Sequence, residues 1–484
     1  MKLIRLSKNA FVRQYGPYTH LFNQLTKSDL DLKDAEPFLR FIGREPISIE
    51  DAVTRIAALF ANADPAQVGQ DFDELLRTLV DEGFVIEGAT SEELDRKDPS
   101  FSYDVETPST AFDLGNITEQ ERQQAREHAE LHEWFEAHPT PFSIHLDLTS
   151  RCTEKCVHCY VPRDRHFMME TDTALKVIDQ FRELGGLSIT LSGGECMLHP
   201  EFCRILAYAR EKDLSVTVLS NLTLCDEAMG RFLATQNLSL VQVSLYSMDP
   251  AVHDAITQLP KSFAKTKSAI ERLHSLNVPI QISCPNMRGN YRGYQSVLDY
   301  GASLKCKAYT DFIMMARSDG STDNLANRLT LDETRQLITT IAEHDPAYAH
   351  EIPAYDPAKE MSVETWGELP MCGVGIDSIC LNADGNYYPC AGFQGYPLGN
   401  CHEQTLREVW ETSSAILYLR GLRKKDIPQC LSCKDRQFCA TCLVRNFNET
   451  GDMLKVSDHF CKVARINREI VEEFKRKSEE NAAI

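Results

Sequence analysis

Residues 143–160 read SIHLDLTSRCTEKCVHCY, a short run of alternating apolar side chains followed at once by three cysteines spaced C-x3-C-x2-C. SIHLDL has the length and alternation of a strand. The same kind of run recurs five times: LSITL (187–191), LSVTVL (214–219), LSLVQVSL (238–245), VPIQIS (278–283) and AYTDFIMM (308–315). Each is followed by a helical stretch such as DTALKVIDQFREL (172–184) or KSFAKTKSAIERLHSL (261–276). Regular strand-helix alternation builds a parallel sheet. Six units fall short of a closed eight-stranded barrel, so the fold class expected is α/β, an open (β/α)6 barrel with its chemistry at the C-terminal ends of the strands. Cys152, Cys156 and Cys159 lie on the first loop of that face.

Three thiolates on one loop can hold three irons of a cubane cluster and leave the fourth iron free for a small molecule. A structural zinc site is the alternative, with His158 as fourth ligand. The second strand runs into LSGGECM (191–197), where Gly193 and Gly194 permit close backbone approach and Glu195 can accept from an ammonium group.

Outward from this core the cysteines are unevenly spread. Of 17 in 484 residues, none precedes Cys152, eight lie from Cys152 to Cys306 and nine from Cys372 to Cys461. An odd number, with no export signal in MKLIRLSKNAFVRQYG, argues against a disulfide framework and for metal or redox chemistry. Asp plus Glu number 71 against 51 Lys plus Arg, a net charge of -20, which disfavours nucleic acid as a partner. Mean hydropathy is -0.32 and no long apolar run occurs, so the expectation is a cytoplasmic protein with no membrane association.

The chain divides into four expected regions: 1–87, 88–142, 143–345 and 346–484. In the first, LIRLS, FVRQY and YTHLFNQL read as three strands, and LKDAEPFLRFIG (32–43), IEDAVTRIAALF (49–60) and PAQVGQDFDELLRTLVDEG (65–83) as helices, before the short strand FVIE. Ser48 and Asp51 stand in capping-box positions. Residues 88–142 carry many charges and prolines and one very polar helical stretch (117–138), the pattern of a linker.

The cysteine triad and GGE together resemble the radical S-adenosylmethionine (radical SAM) superfamily over residues 143–345. The resemblance implies a four-iron four-sulfur cluster on Cys152, Cys156 and Cys159. Its open iron chelates S-adenosylmethionine, and one electron cleaves the sulfonium to a 5′-deoxyadenosyl radical that abstracts hydrogen. It further implies methionine binding by Gly193, Gly194 and Glu195, and ribose or carboxylate contacts from Ser220, Asn221, Ser244 and Asn290. Cys196 after GGE, where proline is commoner, and Tyr246, where aspartate is frequent, depart from the pattern.

Beyond the barrel, Cys372, Cys380 and Cys390, then Cys430-x2-Cys433-x5-Cys439-x2-Cys442 and Cys461, resemble the SPASM extension of radical enzymes, whose usual last spacing is x3. That implies two auxiliary 4Fe-4S clusters, one on Cys372, Cys380, Cys390 and Cys442, the other on Cys430, Cys433, Cys439 and Cys461, and so three clusters in all. Zinc ribbons are the alternative for the C-x2-C pairs, and Cys401 reads as a packed residue. Residues 1–87 resemble the winged-helix RiPP recognition element, which implies binding of a precursor peptide through its leader; a DNA-reading winged helix would need a basic stripe that is missing.

The expected function is thus a radical SAM peptide maturase that forms a thioether or carbon-carbon crosslink, fed by a donor such as flavodoxin or ferredoxin. Three alternatives stand beside it. A peptide epimerase would need a hydrogen-donating cysteine, for which Cys284 and Cys196 are candidates. A formylglycine maturase typically has an aspartate after its cluster cysteine, where Ala391 follows Cys390. An iron-sulfur electron carrier would not need the barrel. Asp311 is a further acid or base candidate.

Overall fold

The structure, a computed structural model, describes residues 2–60, 64–104, 119–162, 164–344, 362–439 and 441–482. Its N-terminal part contains β1 (Leu3–Leu6), β2 (Ala10–Tyr15), β3 (Tyr18–Asn23), β4 (Ser28–Lys33), β5 (Ile47–Ser48) and β6 (Val85–Gly88). The expected three leading strands are therefore corrected to four, in two sheets. β1 pairs antiparallel with β5 and β6, while β2, β3 and β4 form a separate antiparallel meander. β4 was hidden because SDLDLK carries two aspartates, a residue depleted in strands. The helix expected over 32–43 shrinks accordingly to Glu36–Leu39.

The next two helices, Ile49–Ala57 and Pro65–Asp81, form where the periodicity places them. The Ser48 hydroxyl caps the first by accepting from the Asp51 N–H at 3.0 Å. Their inner faces, Ile56, Phe72 and Leu79 among them, bury against Ile4, Leu21 and Phe84.

The polar stretch that follows does more than space two domains. Asp98 is buried and accepts from Ser7 Oγ (2.8 Å), Lys8 N (2.9 Å) and Arg5 Nη2 (3.1 Å). The Tyr103 hydroxyl donates to Val278 O at 2.8 Å and accepts from Ile280 N at 3.0 Å, which ties the stretch to the barrel. Within the helix Glu119–Ala137, Leu131 and Phe135 pack with Tyr15, Tyr18 and Ile376. Residues 105–118 of this stretch, and the boundary placed at 345/346, lie outside the described residues.

The six barrel strands are β7 (Ser143–Asp147), β8 (Ser188–Ser192), β9 (Ser215–Ser220), β10 (Leu240–Ser244), β11 (Ile280–Pro285) and β12 (Lys307–Asp311), parallel and in chain order. The open (β/α)6 barrel is present as expected. Leu146, Leu191, Val218, Val243 and Ile282 are fully buried in the core, and the alternation turns His145, Thr190, Thr217 and Gln242 to the other, lumenal face. Beyond expectation, β13 (Ser378–Leu381) adds in parallel to β7, and β14 (Asn386–Tyr388) and β15 (Gly399–Asn400) continue antiparallel, which makes nine strands. The cysteine-rich region thereby covers the edge that β7 would otherwise leave unpaired. Among the described residues, no helix is long and apolar enough to cross a membrane.

Candidate functional site

Just after β7 ends, the chain enters the loop of Cys152, Cys156 and Cys159, whose backbone is gripped from two sides. Arg317, 3% exposed, donates to Cys159 O (2.9 Å) and Val161 O (3.1 Å) and pairs with Asp323 at 2.8 Å. Asn324 and Asn327 donate to His158 O and Val157 O, each at 3.3 Å. From the helix Pro250–Thr257, Thr257 O and Ile256 O accept from Lys155 N and Val157 N, both at 2.9 Å. A loop so held presents its thiols without reorganising.

Burial first, then the nearby carboxylates and neighbouring thiols, raise Cys152 and Cys156: Glu195, Glu154 and Cys159 act on Cys152, and Glu154, Cys159 and Cys152 on Cys156. Burial pushes Cys152 up to about 12 and Cys156 well above the ordinary thiol value. Bare thiols there stay protonated, whereas a metal cluster converts them to thiolates. Cys152 Sγ already accepts from Glu154 N (3.4 Å) and Asn221 Nδ2 (3.6 Å), donors that suit a ligating thiolate. Burial also lowers His158 to about 4 and raises Glu154 to about 7.

The GGE turn is pressed onto this loop. A Cβ on Gly193, whose φ is +134°, would lie 2.2 Å from Thr149 O, and one on Gly194 2.3 Å from Arg151 O. Gly194 N and Glu195 N donate to those same carbonyls at 2.7 and 2.9 Å. The Glu195 carboxylate is engaged within the protein. It is 1% exposed, and its oxygens accept from Ser220 Oγ (2.9 and 3.0 Å), Asn221 N (2.8 Å) and Met197 N (3.0 Å), so it staples β8 to β9.

The remaining sequence candidates separate. Ser220 and Asn221 lie beside Cys152 and Glu195, and Ser244 ends β10 at the mouth. Asn290 is buried and spends its amide on Tyr246 O (2.8 Å) and Pro285 O (3.0 Å) and its oxygen on Met287 N (2.8 Å), which makes it a turn residue. Cys284 is fully buried in the apolar core, on the opposite parity of β11 from the lumenal Gln281 and Ser283, so this candidate hydrogen donor of the epimerase alternative faces away from the lumen. Cys196 is likewise fully buried, its thiol donating to Leu219 O at 3.3 Å. Asp311 ends β12, half-buried, and burial raises its carboxyl.

The C-terminal cysteines gather as two sets. Cys372, Cys390 and Cys442 interact electrostatically with one another, and so do Cys430, Cys433, Cys439 and Cys461. Cys380, fully buried on β13, interacts with Cys390 and donates its S–H to Asn382 Oδ1 at 3.1 Å. Cys401 is packed in the core, as read. A cavity of about 410 Å³ lies between the lumen and the first set, lined by His145, Thr190, Cys390, Ala391 and Gly392 among others.

Sequence reading missed the Arg317 clamp, the His145 to Asp147 contact (3.0 Å) and the Arg165 to Gln394 bond (3.0 Å). The polar parity of SIHLD was the one available signal, for His145 and Asp147.

Comparison with known proteins agrees with this geometry. Residues 146–295 match the model of the radical SAM superfamily, and residues 372–434 that of SPASM, an iron-sulfur cluster-binding domain. Residues 146–295 therefore form the domain that defines the radical SAM enzymes. The chain also carries the SPASM domain, and S-adenosylmethionine and 4Fe-4S clusters are its cofactors. An AdoMet-dependent heme synthase from Methanosarcina barkeri is 26% identical over 336 residues, covering 65% of this chain and 95% of the relative. The Bacillus subtilis subtilosin biosynthesis protein AlbA is 25% identical, covering 64% of this chain and 69% of the relative. The fold of Streptococcus suis SuiB, solved with its precursor peptide SuiA, matches with a TM-score of 0.61 at 17% identity, over 95% of this chain and 99% of that one.

Proposed function

We propose that this enzyme modifies a ribosomally made precursor peptide and forms a thioether or carbon-carbon crosslink within it. In this reading Cys152, Cys156 and Cys159 hold the cluster that binds S-adenosylmethionine. Cys372, Cys380, Cys390 and Cys442 hold one auxiliary cluster, with Cys380 the outlier, and Cys430, Cys433, Cys439 and Cys461 the other. When bound, these cofactors supply a hydrogen-abstracting 5′-deoxyadenosyl radical and a sink for the electron that crosslinking releases. The protein's own part is orientation. Arg317, Asn324 and Asn327 fix the cluster loop, Gly193 and Gly194 allow the second loop to close on it, and the cavity beside the lumen gives a substrate side chain room.

The observation that carries the reading is the cavity between the barrel lumen and the first auxiliary set, in a chain that also has a sheet-and-helix unit at its N-terminus. The SuiB fold, seen with a precursor peptide, extends over nearly the whole chain and supports a leader-binding part for that unit. The heme synthase favours a second reading, an iron porphyrin as substrate, but it matches only 65% of the chain. Co-expression with a short peptide encoded beside the gene, followed by tandem mass spectrometry, decides. A peptide lighter by two hydrogen atoms and joined internally supports the proposal. An unmodified peptide, with conversion of a porphyrin instead, overturns it.

A further inference from the structure

On the N-terminal side of the barrel, far along the strands from the cysteine loop, β3, β4 and the helix Glu119–Ala137 enclose a second cavity, of about 340 Å³. Leu187 and Ser188 at the start of β8 and Asp377 just before β13 complete its wall. Three of its histidines are joined in one chain through Asp31, which lies behind the wall. His20 Nδ1 meets Asp31 Oδ1 at 2.6 Å, Asp31 Oδ2 meets His128 Nδ1 at 2.8 Å, and His128 Nε2 faces His132 Nε2 at 3.0 Å. Asp29 and Asp377 also line the cavity, and no lysine or arginine does among the described residues. The walls are otherwise apolar, with Phe135 and Phe142 prominent.

Two imidazoles four residues apart on a helix bring their Nε2 atoms to 3.0 Å from each other. That is the spacing with which helical histidine pairs chelate a transition metal. His128 also has the support such a ligand needs, since its Nδ1 is engaged by a carboxylate that is itself held by a second histidine. Asp31 is almost fully buried between them, which fixes the ring's orientation.

We propose that His128 and His132 form a binding site for a divalent first-row transition-metal ion such as Zn²⁺, separate from the iron-sulfur sites. Among the described residues, no three His, Cys, Asp or Glu side chains converge on one ion, so the protein gives two nitrogens and water fills the remaining positions. The ion takes the place of the proton that His132 Nε2 donates to His128 Nε2; through solvent exchange that proton is replaced by one on His132 Nδ1, so both rings stay neutral with Nε2 free to ligate. His128 retains Nδ1–H toward Asp31. The surplus of carboxylates around the cavity favours a cation, and His128, whose side chain is 45% exposed, can be reached from solvent. A cation there would stiffen the seam that joins β4 to the helix.

The test uses the full chain with its iron-sulfur sites loaded, so that the cysteines are occupied. Wild type, His132→Asn and His128→Gln are equilibrated with a small excess of Zn²⁺, desalted, and analysed for zinc and iron. The expected result is about one zinc per chain retained by wild type beyond that retained by either variant, with equal iron in all three. His132 is exposed, so its variant keeps the fold and decides even where His128→Gln perturbs β4. Equal zinc in wild type and His132→Asn, or none retained by wild type, overturns the proposal.

Discussion

Gly194 lies where the second barrel loop meets the first, and a methyl group there would fall 2.3 Å from the Arg151 carbonyl. Backbone on both sides leaves little room to relax, so Gly194→Ala should cost about 1–3 kcal/mol, read from denaturant unfolding. It should also lower the yield of 5′-deoxyadenosine, because the two loops part. Arg317 offers a subtler case. Its guanidinium reaches two carbonyls of the cluster loop and Asp323 together, a fork that a lysine cannot copy. Arg317→Lys should keep the fold and the iron content but slow S-adenosylmethionine cleavage roughly tenfold, measured by single-turnover product formation. At this scale the cysteines were legible because their spacing within one loop is local. Arg317 was not, since 158 residues separate it from Cys159 and nothing local distinguishes a buried arginine from a surface one.

Between elements, the barrel alternation was legible because six strand-helix units repeat one period. The two sheets of the N-terminal part were not, since the pairing of β1 with β5 and β6 depends on contacts more than forty residues distant. One part of the junction with the barrel is a pair of arginines set against the turns before β8 and β9. Arg13, 2% exposed, donates to Gly186 O at 2.9 Å and pairs with Asp213 at 3.1 Å, and Arg44 pairs with the same carboxylate at 2.7 Å. Burial pushes the Asp213 carboxyl up, but Arg44 and Arg13 outweigh it and hold it below the ordinary range. A depressed carboxyl contributes its stability in full above its unfolded pKa of about 4, and loses it as pH falls through the lower folded value. Because the carboxylate is 36% exposed and screened by solvent, Asp213→Asn should cost only about 1 kcal/mol near neutrality. The gap between variant and wild type should narrow as pH falls below about 4, as thermal unfolding across pH will show. A gap that stays constant with pH would remove Asp213 as the titrating group.

Across the whole molecule, the addition of β13 to β7 places the cysteine-rich region on the same sheet as the barrel, beside the lumen. The sequence showed two cysteine-dense zones but not that one sheet joins them, because a two-residue or four-residue strand carries almost no periodic signal. If the N-terminal unit captures the leader, a precursor lacking its leader should be processed at least about tenfold more slowly, while cleavage of S-adenosylmethionine in the absence of peptide is unchanged. Mass spectrometry and nucleoside quantification report the two separately. The account as a whole stands on the loop of Cys152, Cys156 and Cys159. Its most direct test is to reconstitute wild type and Cys156→Ala anaerobically with iron and sulfide, reduce them with dithionite, and quantify 5′-deoxyadenosine formed from S-adenosylmethionine. Wild type should form it and Cys156→Ala should not, with roughly four fewer irons per chain; equal formation by both would contradict the account.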